Sequence, residues 1–189
     1  MSGSYLYLKY SFKYICKQMD SGYKNLQKLF LCCLGLFIGT AFCMKWMEPG
    51  FIHNGSLFTI IGLEISYPKE KVVSILSGLH GHVKTILRYH LVFDFAFMAG
   101  VYTGIAALCL MAREKATNLT LKQFLLLLAL LQLVAWGCDI YENICLLRWI
   151  KTPSIGNEFG VYHLAVAAKW IIALSAALLA IPLAIRRKK

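Results

Sequence analysis

The chain alternates long apolar runs with shorter polar connections. Four runs, at about residues 29–46, 89–111, 122–148 and 160–185, each hold enough apolar residues to cross a bilayer as a helix. The pattern predicts an all-α fold, a four-helix transmembrane bundle that forms a single domain over residues 26–189.

The connection between the first two runs, at about residues 49–81, carries its own apolar pattern. Apolar side chains recur there at helical spacing, at Val72, Ile75, Leu76 and Leu79. This spacing predicts an outer amphipathic segment, which would rest on the membrane surface or roof the tops of the spans.

The N-terminal leader, residues 1–25, is basic and aromatic. Lys9, Lys13 and Lys17 fall on one helical face, with aromatic residues on the others. We expect an amphipathic interfacial helix that lies on the anionic inner leaflet of the membrane, with a turn into the first span at Ser21-Gly22. The alternative is a leader without regular structure.

Composition supports a membrane protein. Hydrophobic residues make up 59% of the chain and charged residues only 15%, whereas soluble domains carry about 25% charged residues. With both termini in the cytoplasm, twelve Lys and Arg residues lie inside and seven outside, as the positive-inside rule requires. We therefore expect a multi-pass protein of a bacterial cytoplasmic (inner) membrane. The net charge of +11 reflects this excess of Lys and Arg on the inner side. We expect no nucleic-acid partner, because the sequence contains no basic folded domain that could bind one.

Polar side chains share one face of each of the last three spans. Lys169 interrupts the fourth span at the depth of Asp139 and Glu142 in the third. Each charge facing lipid would cost about 2.5–3.5 kcal/mol, so we expect these faces to meet in one interior cluster near the outer leaflet. The expected members are Asp94, Tyr102, Asp139, Glu142, Asn143 and Lys169, with His90, His163 and Glu64 as further candidates.

The charges of this cluster do not balance. Asp94, Asp139 and Glu142 face one lysine, which leaves two uncompensated negative charges if all are ionised. A water-poor interior should not hold that imbalance. We expect that a carboxyl is protonated, that a histidine is charged or that a cation is bound.

Four functions fit such a cluster. The first is binding of a lipid headgroup or another small polar ligand. The second is a membrane-embedded lipid hydrolase or transferase, in which zinc or iron is held by ligands drawn from His90, Asp94, Asp139, Glu142 and His163. The third is a purely structural role, and the fourth is a proton- or cation-coupled transporter that works as an oligomer. The sequence leaves open whether the protein is an enzyme.

Two small-residue motifs lie on the first two spans. Gly35 and Gly39, like Gly100 and Gly104, are four residues apart and give a smooth helix face for close approach. Internal packing of the first two helices is the main expectation, and a homodimer through either pair is the alternative.

The spacing of the polar residues resembles a loosely defined group of uncharacterised bacterial four-span integral membrane proteins. The resemblance covers about residues 57–175. It is carried by Leu63-Glu64, Ile75-Leu76, Asp94-Phe95-x-Phe97, Tyr102, Asp139-x-x-Glu142-Asn143, Leu146 and Lys169-Trp170. It implies the same four-span fold, and no activity accompanies it.

Overall fold

The computed structural model describes the backbone of residues 3–186 and the side chains of residues 22–186. In chain order the elements are α1 (Gly3–Met47), a 3-10 turn (Glu48–Gly50), β1 (Ile52–His53), β2 (Ser56–Leu57), α2 (Ile60–Glu64), α3 (Lys69–Ser77), α4 (Gly81–Lys115), α5 (Leu119–Lys151) and α6 (Glu158–Ile185). The two short strands pair as an antiparallel hairpin. The predicted all-α, four-helix fold is confirmed.

Within the described part of the chain, four helices are long and apolar enough to cross a membrane, namely α1 from Gly22 onward, α4, α5 and α6. They fit an integral membrane protein with four spans. The helices are longer than the predicted spans. Helix α4, for example, begins at Gly81, so its first turns hold polar residues such as Lys84 and Arg88 that precede the apolar run.

Three of the long helices form the centre of the bundle. Each of α4, α5 and α6 packs on the other two, whereas α1 packs mainly on α4. A Cβ atom added at Gly100 would lie 2.9 Å from the backbone nitrogen of Phe37, so the glycine lets α1 and α4 approach closely. The expected packing of the first two helices is therefore confirmed, and α1 covers the Gly100/Gly104 face. Gly35 and Gly39 face open space, and a homodimer there stays a prediction.

Helix α1 runs through Ser21 and Gly22 without a break, although the sequence suggested a turn there. One glycine costs a helix only about 1 kcal/mol, which neighbouring turns can absorb. The side chains of the leader, including Lys9, Lys13 and Lys17, lie outside the described residues. Its contact with an anionic leaflet stays a prediction.

The predicted outer segment folds over one end of the bundle, and we call residues 51–79 the lid. The apolar side chains of Phe51, Leu63, Val72 and Leu76 are buried and join the same core as Trp149 and Tyr162 of the long helices. Helix α3 follows Pro68 and ends at Ser77, with Gly78 as its C-cap. The preceding stretch forms β2 and α2, whose first turn is capped by Thr59 Oγ1 accepting a hydrogen bond from the Gly62 amide.

Candidate functional site: a buried lysine and its carboxylates

Lys169 lies eleven residues inside α6, which corresponds to about 16 Å of helix below the lid end. The residue is only 5% exposed. Side chains on a helix lean toward the N-terminus, and the N-terminus of α6 is the end covered by the lid. The ammonium group is therefore directed toward the lid rather than toward the middle of the helix.

Three carboxylates surround this ammonium. Lys169 Nζ donates a hydrogen bond to Asp139 Oδ1 at 2.6 Å and lies 2.7 Å from Glu142 Oε2. The third carboxylate comes from the lid, with Glu64 Oε2 at 3.4 Å. Helix α5 presents Asp139 and Glu142 together because residues three apart share one helix face. The lid and two membrane helices thus meet at one cation.

Two further hydrogen bonds extend the arrangement to α4. The Tyr102 hydroxyl donates to Asp139 Oδ2 at 2.8 Å, and Asn143 Nδ2 donates to Asp94 Oδ2 at 2.7 Å. We call the seven residues the Lys169 cluster: Glu64, Asp94, Tyr102, Asp139, Glu142, Asn143 and Lys169. The six main residues expected from the sequence are all buried, and each is bonded or ion-paired within this cluster.

The charge imbalance is larger than the sequence suggested. Glu64 adds a fourth carboxylate to a cluster with one lysine. Burial raises the pKa of the Glu64 carboxyl above its usual range, and the nearby Lys169 ammonium opposes that shift. The protonated form of Glu64 is therefore favoured more in the folded protein than in water.

Several buried polar atoms of this region have no hydrogen-bond partner among the described residues. They include Glu64 Oε2, both Glu142 oxygens and the Tyr162 hydroxyl. Glu142 Oε2 is close to the Lys169 ammonium, but the contact has the distance of an ion pair without the angles of a hydrogen bond. Tyr162 is completely buried and lies within electrostatic range of Glu142 and Glu64. The lid side of the cluster thus has spare hydrogen-bonding capacity, chiefly as acceptors.

The two candidate histidines, His90 and His163, lie outside the Lys169 cluster. His163 Nε2 is 3.1 Å from the carbonyl oxygen of Ser66, and its ring contacts Phe159 and Tyr67. His163 therefore fastens the lid to α6. His90 is 1% exposed, because Phe51 of the lid packs edge-on against its ring.

The candidate metal ligands are divided between two places: Asp94, Asp139 and Glu142 lie in the Lys169 cluster, whereas His90 and His163 lie outside it. Within the described part of the chain, no three His, Cys, Asp or Glu side chains are arranged to hold one metal ion. His90, His163, Asp94, Asp139 and Glu142 were grouped by helical spacing, which places residues on a face but does not fix their neighbours. The structure supports no cofactor, and Lys169 occupies the position between carboxylates that a cation would otherwise take.

Tyr162 is a further residue of this region that was not among the expected site residues. Its hydroxyl is within electrostatic range of Glu142 and Glu64, and its ring contacts the rings of Trp149 and Phe159. Tyr162 is seven residues before Lys169, which places both on one face of α6 and was a usable signal.

Comparisons with protein-family models, with curated proteins and with solved structures find no match to this chain.

Proposed function

We propose that this protein binds a small polar ligand, such as a lipid headgroup, at the lid side of the Lys169 cluster. Glu64 carries the proposal. It belongs to the lid, outside the membrane-spanning helices, yet its carboxylate is buried against the ammonium of a membrane helix. A lid that contributes a side chain to a buried polar site can admit a ligand when it moves and enclose it when it returns.

A purely structural role is the main competing function. Ion pairs and hydrogen bonds between α4, α5 and α6 would hold those helices together, and Lys169–Asp139, Tyr102–Asp139 and Asn143–Asp94 all do so. Helix association does not require Glu64, nor does it explain the Glu142 and Tyr162 atoms without partners. These extra features favour a ligand.

The proposal also includes the orientation of the protein. The bundle has an even number of spans, so both ends of the described chain lie on the same side. The excess of Lys and Arg on that side supports a cytoplasmic location for both termini, and the bacterial cytoplasmic membrane is the proposed setting. The lid would then face the outer leaflet, and lipid from that leaflet would be the nearest source of ligand.

Co-purification tests the function directly. The wild-type protein should retain a polar small molecule or lipid in near-stoichiometric amount after detergent purification, measured by mass spectrometry of extracts. Asp139→Asn should lose it, because that variant breaks the pairing that positions Lys169. Lys71→Met, which changes an exposed lysine of α3, should keep it. Wild-type protein that carries no such molecule, with Asp139→Asn reducing stability alone, would establish the structural role instead.

A further inference from the structure

The charges of the Lys169 cluster indicate what kind of ligand it would accept. Lys169 is the only buried base that contacts the cluster among the described residues, and three carboxylates already enclose its ammonium. An anion approaching Lys169 would meet Glu64, Asp139 and Glu142 first. The cluster is therefore a poor anion site, although a buried lysine alone would suggest one.

The buried atoms without hydrogen-bond partners also argue against an anionic ligand. A carboxylate oxygen accepts hydrogen bonds and cannot donate them, and leaving one buried without a donor costs about 1–3 kcal/mol or more. Glu142 Oε1 accepts no hydrogen bond from the described residues, and Glu64 Oε2 has only the 3.4 Å ion pair with Lys169. The Tyr162 hydroxyl, an uncharged group that is completely buried, is a third atom without a partner on the same side. A ligand that fits here must bring N–H or O–H donors and positive charge.

We propose that the ligand presents a protonated primary amine, which the Glu64 and Glu142 carboxylates bind together with the Tyr162 hydroxyl. This inference rests on the proposed function and names its ligand class. A primary ammonium has three N–H donors and one positive charge, so it satisfies both carboxylates and reduces the charge imbalance. A quaternary ammonium carries the same charge but has no N–H donor, and it should bind weakly.

Entry of the amine requires only the weakest contact of the cluster to change. Glu64 is 3.4 Å from Lys169 Nζ, beyond the usual length of an N–H···O hydrogen bond, whereas Asp139 and Glu142 are at 2.6 and 2.7 Å. The lid residue is thus the carboxylate that is held least firmly. An amine can insert between Glu64 and Glu142 while the pair formed by Lys169 and Asp139 remains intact.

Two sources present this chemistry, the ethanolamine headgroup of a phospholipid and a free small amine. The test uses purified protein in phosphatidylcholine nanodiscs, alone, with added phosphatidylethanolamine or with added phosphatidylglycerol. In separate samples, free ethanolamine or choline is added to the phosphatidylcholine discs. Thermal unfolding is measured in each, and the apparent affinity for ethanolamine is obtained from the concentration dependence of the midpoint.

We expect ethanolamine, as lipid or as free amine, to raise the midpoint, and choline and phosphatidylglycerol to leave it unchanged. Glu64→Gln and Tyr162→Phe should each weaken the apparent affinity by about tenfold or more, because each removes a charged or hydroxyl partner of the ammonium. Glu70→Gln, an exposed carboxylate of the same lid, is the matched control and should bind as the wild type does. A response to free ethanolamine but not to the lipid would identify a free amine as the source.

Other outcomes separate the two proposals. If phosphatidylglycerol raises the midpoint and Glu64→Gln abolishes the effect, the site binds a headgroup but the amine assignment is wrong. If choline acts as strongly as ethanolamine, N–H donation does not matter and the assignment also fails. If no additive changes the wild-type midpoint and no molecule co-purifies, ligand binding itself is refuted.

Discussion

Replacing Lys169 by methionine is the most direct test of the cluster. Methionine has a similar length and volume, so the substitution removes the charge without opening a large cavity. Asp139 would keep the hydrogen bond from Tyr102, but Glu142 would keep no hydrogen bond among the described residues. The loss of stability should therefore come mainly from the Glu142 carboxylate, which is left without a partner.

The expected magnitude follows from these contacts. Removing one partner of a buried ion pair costs about 3–5 kcal/mol, because the remaining charge stays in a water-poor interior. For a chain of 189 residues, each kcal/mol corresponds to about 2–4 °C in the unfolding midpoint. We expect Lys169→Met to lower the midpoint by roughly 6–20 °C.

The protein offers its own reporters for this measurement. Cys109 and Cys145 are buried free thiols, so a maleimide dye should label them only when the bundle unfolds. The control is Lys71→Met on the exposed face of α3, which should change the stability by no more than about 0.5 kcal/mol.

A second substitution tests whether the uncompensated charge of Glu142 causes the loss of stability. Gln at position 142 needs no counter-charge, so Glu142→Gln should restore part of the stability lost in Lys169→Met, with an interaction energy between about 0.5 and 3 kcal/mol. Equal midpoints for Lys169→Met and Lys71→Met would refute the reasoning. So would a double variant that is less stable than the sum of the single changes predicts.

Three further predictions concern the lid, the α1–α4 contact and the topology. The raised pKa of Glu64 means that the folded protein holds this proton more tightly than the unfolded chain, so its contribution to stability is lost as the pH rises above the ordinary value of 4.5. Glu64→Gln should gain stability relative to the wild type as the pH rises above about 4.5, measured by thermal unfolding, while Glu70→Gln should follow the wild type. Gly100→Ala should cost about 1–3 kcal/mol of stability and expose Cys33 to maleimide in the folded state, because the new Cβ would meet the backbone of α1. Gly35→Ala is the control, because nothing lies within 4 Å of its Cβ, and it should change neither the stability nor the labelling of Cys33. Reagents that cannot cross the membrane should label tags at both termini from the cytoplasmic side only, and labelling from opposite sides would contradict four spans.

The fold was predictable because its main signals are local. Apolar runs long enough to cross a bilayer define the spans, and α3 contains three of the four apolar residues that recur at helical spacing, Val72, Ile75 and Leu76. Depth along a helix is also local, since each residue adds about 1.5 Å. Counting from the ends of two spans therefore placed Lys169 beside Asp139 and Glu142, which the structure confirms.

The contribution of the lid was harder to predict, because it depends on contacts between distant parts of the chain. Glu64 reaches Lys169 only because Phe51, Leu63 and Leu76 anchor the lid in the core above the cluster. The same docking buries His90, which the sequence offered as a candidate for the cluster and as a metal ligand. Helical spacing therefore identified the faces that carry polar groups, but the choice between metal ligands and a lysine–carboxylate cluster required the tertiary fold.

The pairing across α5 and α6 has a consequence for biosynthesis. Asp139 leaves the ribosome 30 residues before Lys169, so the third span must enter the translocon with its acids uncompensated. The connection between the two helices is short, at residues 152–157, and lets the fourth span follow at once. Because each uncompensated charge at mid-bilayer is costly, the two spans should partition into lipid together as a hairpin, with the ion pair already formed.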